Sequence, residues 1–182
     1  MKTLQDRFDT SNEIENWLYE IEPTHFLTFI FNRNFGSSSG VEPLMEYSKQ
    51  KLDKFCKYLN KKLLGKYWYR RDRVDPEEHF FMMVFPQHIH SNFHFHGVGV
   101  VENTTKFPNK VKMFEKYAKD IWTLDKERTD QETNNKYRDV IVPNGDLDIQ
   151  TPRSNKKVIG YSVRDEWKTE NHNHFFVSGE RR

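Results

Sequence analysis

The segment Phe93-His94-Phe95-His96-Gly97-Val98-Gly99-Val100-Val101 restricts this chain more than any other. Apolar and rich in valine, it reads as a strand, whose side chains alternate between two faces. His94 and His96 then share one face while Phe95 points into a core on the other. His79–Phe85 reads as a second strand, and the polar stretch His88-Ile89-His90-Ser91-Asn92 joins the two tightly. The run Thr24–Phe31, β-branched and aromatic, supplies a third, buried strand. Lys66–Arg70 is a further strand candidate, and Asp139–Val142 and Asp146–Ile149 are short ones flanking an Asn144-Gly145 turn.

Helical spacing supplies the elements that cover this sheet. Thr10 and Glu13 form a capping-box pattern, predicting a short helix over about Ser11–Ile21. After the flexible loop Asn34–Gly40, Pro43 opens a longer helix on which Leu44, Tyr47 or Ser48, Leu52, Phe55, Leu59 and Leu63 recur, with Gly65 as its stop. Pro108 starts another, with Val111, Phe114, Ala118, Ile121 and Trp122 on one side. Asp125–Tyr137 is polar and reads as a loop, and Ile159, Val163 and Trp167 predict a last helix over about Val158–Lys168. The expectation is a single α+β domain over residues 1–182, with a central antiparallel sheet flanked by helices.

Composition narrows the setting. A net charge of +2 says nothing of nucleic acid until its distribution is known. The lone Cys56 excludes an intramolecular disulfide and falls on an apolar helix face, where it reads as a core residue. No apolar stretch approaches the roughly 18 residues of a membrane span, and no charged leader precedes an apolar run. The chain is therefore expected to be soluble and cytoplasmic, with no membrane partner. It carries no Walker-type glycine-lysine motif, so no ATPase of its own is expected.

Four histidines fall within the nine residues His88–His96. Two imidazoles on one strand face make half of a divalent-metal site, and a third ligand is expected from Gln87, His88 or His90, with His88 the preferred choice. A lone His-x-His pair is as readily surface decoration; the crowding beside an apolar strand favours metal. Downstream, Tyr161, Arg164 and Lys168 stand at i, i+3 and i+7 of the last helix, a tyrosine accompanied by two cations. Tyr58-Leu59-Asn60-Lys61 and Tyr67-Trp68-Tyr69-Arg70 carry the same local pattern, so it is not specific by itself. A basic stretch with Arg70, Arg71 and Arg73 is interleaved with Tyr67, Trp68 and Tyr69, the mixture that grips single strands through phosphates and stacked bases. It equally suits a solvated surface. His172 and His174 read as a polar tail, the alternative for His172 being a place near the metal.

The order of these segments, Leu27-Thr28-Phe29, then His94-Phe95-His96-Gly97, then Ile159-Gly160-Tyr161-Ser162-Val163-Arg164, resembles the three motifs of the HUH endonuclease superfamily, in particular its rolling-circle replication initiators. The resemblance spans about Phe26 to Trp167. It implies an HUH-like catalytic domain in which His94 and His96 bind Mg2+ or Mn2+. It also implies that Tyr161 cuts one DNA strand, becomes linked to the 5′-phosphate and frees a 3′-hydroxyl. Arg164 takes the place of the family's lysine, keeping the charge as a poorer proton donor. Gln87 or His88 stands where the family has a polar ligand, usually glutamate. Arg70, Arg71, Arg73, Trp68 and Lys168 become candidate contacts to single-stranded origin or hairpin DNA, with unwinding and synthesis left to a host or viral helicase and polymerase. Three other readings remain open: a single-tyrosine insertion-sequence transposase, a cupin-like metal protein, and a DNA-binding module without catalysis.

Overall fold

A computed structural model describes residues 4–31, 41–88, 93–129, 136–140, 145–163 and 175–179. Helix α1 (Leu4–Glu20) leads into strand β1 (His25–Ile30), followed by helix α2 (Val41–Leu64). A 3-10 turn over Pro76–Glu78 precedes β2 (Phe81–Gln87) and β3 (His94–Val100). Then come α3 (Lys110–Trp122), β4 (Asp125–Thr129), β5 (Lys136–Val140), β6 (Asp146–Gln150), α4 (Asn155–Val163) and β7 (Phe176–Ser178).

Five strands form one antiparallel sheet in the order β6-β1-β3-β2-β7, so the histidine strand β3 is central. The described parts make an α+β fold with helices on both faces. Leu27, Phe29, Phe95, Met82, Val84 and Leu147 pack against α2 and α3 in the larger core cluster. On the opposite face Phe81, Met83, Phe85, Val98 and Val100 meet Leu18 of α1 and Ile159 of α4. Burial on both faces explains why β2 is an unbroken apolar run instead of an alternating one. Glycine at 97 follows from the tight approach of β2, since a Cβ there would collide with the backbone of Met83 and Val84. Among the described residues no helix is long and apolar enough to cross a membrane.

Five sequence expectations are corrected. Lys66–Arg70 is not a strand but a run of turns: Gly65, at φ 81°, reverses the chain, and Trp68 and Arg70 donate their N–H groups to Gly65 and Tyr67. Tyr67 and Tyr69 are both exposed there, so no alternation buries one side of the segment. Asp125–Tyr137 is not wholly a loop; β4 and β5 pair as a separate two-stranded ladder, with Lys126 opposite Asp139 and Glu127 opposite Arg138. Main-chain bonds make such a ladder without the apolar alternation that marks a strand in sequence. Consequently β5 and β6 do not pair across Asn144-Gly145, because β6 lies on β1. Lastly, α1 begins at Leu4, which places Thr10 inside the helix and not at its cap, and α4 begins at Asn155.

Candidate metal and tyrosine site

Register builds the site. β1 and β2 flank β3, setting Thr28 opposite His96 and Gln87 opposite His94. Because facing residues of an antiparallel pair project to the same side, His94, His96, Thr28 and Gln87 share the face covered by α1 and α4. The Nε2 atoms of His94 and His96 converge to 3.0 Å. His96 Nδ1 lies 2.9 Å from Thr28 Oγ1. With the ring proton on Nδ1, His96 donates to Thr28 and keeps the Nε2 lone pair for a ligand. His96 is buried, yet the helix layer leaves the site reachable, for Tyr161 beside it is 40% exposed.

Tyr161 comes from α4, which packs on β3 with Ile159 buried beneath it. Its ring sits edge-on to His96, centroids 5.1 Å apart, and edge-on to Phe26 at 6.0 Å. Phe26 in turn stacks on His96 at 5.4 Å, so one phenylalanine underlies both the tyrosine and the imidazole. Gln87, only 2% exposed, faces the same helix. Its Nε2 donates to the carbonyls of Ser162 (3.3 Å) and Tyr161 (3.5 Å), while its Oε1, also buried, has no hydrogen-bond partner among the described residues. His88 leaves β2 with φ 52° and stacks its ring on His94, centroids 5.3 Å apart.

The donor set fits a divalent cation. Two nitrogens each about 2.1 Å from one ion, at a right angle to each other, lie about 3 Å apart, as the two Nε2 atoms do. Among the described residues no three His, Cys, Asp or Glu side chains form a metal-holding group; the orphaned amide oxygen of Gln87, on the residue opposite His94, is a candidate third donor beside the pair, as is His88 stacked on His94. Leaving a buried carbonyl oxygen without a donor costs about 1–3 kcal/mol. A bound cation removes that cost.

The sequence-predicted residues divide into groups. The structure brings together His94, His96, Gln87, His88 and Tyr161. Arg164 and Lys168, together with His90, His172, His174 and Trp167, lie outside the described residues. Trp68, Arg70, Arg71 and Arg73 are not brought to the site. They occupy turns ahead of β2, where His79 Nε2 hydrogen-bonds the Trp68 carbonyl at 2.7 Å, six residues before Phe85, the residue opposite His96. At about 3.3 Å per residue that is about 20 Å of extended chain. Arg70 is bidentate to Asp72 (3.1 and 2.9 Å), and the Arg73 guanidinium lies over Tyr67 at 4.4 Å.

Sequence reasoning missed Phe26 and the partner role of Thr28. The period-two burial of His25–Ile30, which leaves Phe26, Thr28 and Ile30 on the less buried face, is the signal that singles them out. Cys56 is the core residue expected: burial pushes its thiol up to about 12, far from a nucleophile's range. Compared with known proteins, the chain matches no family model, no curated protein and no solved structure.

Proposed function

We propose that this chain is a cation-dependent, site-specific DNA endonuclease and strand transferase that nicks one strand through Tyr161 and initiates rolling-circle replication of a plasmid or phage. The observation that carries it is the packing of an accessible tyrosine against an imidazole pair whose Nε2 atoms converge to 3.0 Å. His94, His96 and the Oε1 of Gln87 hold the ion, with Thr28 fixing the His96 tautomer. When bound, Mg2+ or Mn2+ neutralises charge on the non-bridging phosphate oxygens. Tyr161 Oη gives up its proton and attacks phosphorus, the bond from phosphorus to the 3′-oxygen breaks, and that oxygen takes up a proton, through solvent, to leave as a 3′-hydroxyl. The 5′-phosphotyrosine conserves the bond, so attack by a 3′-hydroxyl rejoins strands. Arg164 and Lys168, three and seven residues after Tyr161 in sequence, are assigned to the phosphate, and Trp68, Arg70, Arg71 and Arg73 to more distant strand contacts.

The test is a pool of end-labelled, random-sequence single-stranded DNA incubated with the protein and Mn2+, then resolved on a denaturing gel. A covalent adduct is expected with the native chain and none with Tyr161→Phe or with His94→Ala/His96→Ala. An adduct that survives in Tyr161→Phe removes the nucleophile assignment.

A further inference from the structure

Gln87 does something a carboxylate at its position cannot. Its side chain is an amide, and both groups within reach of Nε2 are acceptors, the main-chain oxygens of Tyr161 and Ser162. Turning the amide over would set three oxygens against one another, so its orientation is chemically fixed. Tyr161 and Ser162 both belong to α4, the helix that carries the candidate nucleophile. Gln87 thus supplies a donor to the tyrosine helix from a strand on which it faces His94. Ser162 Oγ is turned back into its own helix, donating to Val158 O at 2.9 Å, and does not compete. The other end of the same planar amide, Oε1, is buried and unpartnered among the described residues.

We infer that Gln87 is a positioning residue that couples cation binding to the placement of Tyr161, its carbonyl oxygen taking the cation and its amide N–H holding α4. This rests on the cation site proposed above. Drawing electron density from Oε1 polarises the amide and strengthens the N–H bonds to the Tyr161 and Ser162 carbonyls. The linkage runs both ways: whatever orders α4 against Gln87 tightens the ion by the same factor. Glutamate in this position would hold a cation better and the helix worse, since it has no proton to donate to two carbonyl oxygens. Cation binding therefore tightens the hold on the tyrosine backbone and, with it, on the Tyr161 ring that sits edge-on to His96.

The experiment reads the helix, not the reaction. Amide hydrogen exchange over residues 155–163 is followed by mass spectrometry with and without Mn2+, and Mn2+ affinity is measured in parallel by titration calorimetry. For the native chain, saturating Mn2+ is expected to slow exchange over this segment by about fivefold or more, the lower end of ordinary coupling factors. Gln87→Glu is expected to keep or improve Mn2+ binding while losing that slowing, and Gln87→Met to weaken binding and lose it too. Native-like protection of α4 in Mn2+-loaded Gln87→Glu overturns the coupling, as does an unchanged α4 in the Mn2+-loaded native chain. The latter comparison needs no variant, so misfolding cannot obscure it. If the native chain binds Mn2+ without the α4 response, the coupling alone fails and the cation site stands. If it binds no Mn2+, both fail.

Discussion

In the proposed cation site, the hydroxyl of Thr28 decides whether the imidazole of His96 can be a ligand. A histidine can bind a cation through Nε2 only if its remaining proton is on Nδ1, and that proton needs an acceptor in a buried place. Thr28 Oγ1, 2.9 Å from His96 Nδ1, is that acceptor. Thr28→Val keeps the shape of the side chain and removes the oxygen. It is expected to weaken Mn2+ binding by about 10–100-fold, measured by calorimetry, with the thermal midpoint little changed. Phe26 acts by contact alone: Phe26→Ala removes the surface beneath both Tyr161 and His96. Its expected signature is slower adduct formation with near-native Mn2+ affinity, because the tyrosine loses its seat while the imidazole keeps Thr28.

Among the elements, β3 carries a constraint unrelated to chemistry. Gly97 sits where β2 passes too close for any side chain, so Gly97→Ala is expected to cost at least about 2 kcal/mol, read as a lowered urea midpoint. In sequence this glycine is indistinguishable from Gly99, which faces side chains of Leu27 and Phe80 instead of backbone. What could be read from residue order was set by local burial. α2 and α3 announce themselves because Leu52, Phe55, Leu59, Phe114 and Ala118 recur at helical spacing and are buried. β1 to β3 do so because their side chains fill a core. The paired β4 and β5 stayed hidden because their ladder is polar, and Lys66–Arg70 misled because aromatic residues there sit on exposed turns. The histidine pair needed only the two-residue period of one strand. Its partners depend on which residue of β1 or β2 falls opposite, and no local pattern sets that register, so Thr28 is left unassigned by the sequence and His88 is preferred there to Gln87, the residue that faces His94.

Across the whole molecule, two buried polar groups set how stability responds to conditions. Lys110, 4% exposed, donates to Glu78 Oε2 at 2.5 Å and to the Glu78 carbonyl, pinning the start of α3 to the chain before β2. Glu78 Oε2 also accepts from Thr104. Glu78→Gln leaves a buried ammonium without its counter-charge and is expected to cost about 3 kcal/mol in urea unfolding. His25, buried against Phe114, has its pKa lowered by desolvation, a shift that the Glu115 carboxylate partly opposes. The folded chain thus takes up this proton less readily than the unfolded one, whose histidine titrates near about 6.5. Stability is level above that pH and falls as pH drops through it, by at most about 1.4 kcal/mol per pH unit for one proton. Urea midpoints compared between pH 8 and pH 5 should show this slope in the native chain and a shallower one in His25→Phe.

The alternation of β3 has a consequence for how the sheet assembles. A one-residue slip of β3 against its neighbours would drive two imidazoles into the aromatic core beside Phe29, Phe31 and Trp122 and turn Phe95 out towards α4. His94 and His96 therefore disfavour mispairing of the central strand, apart from any chemistry they carry.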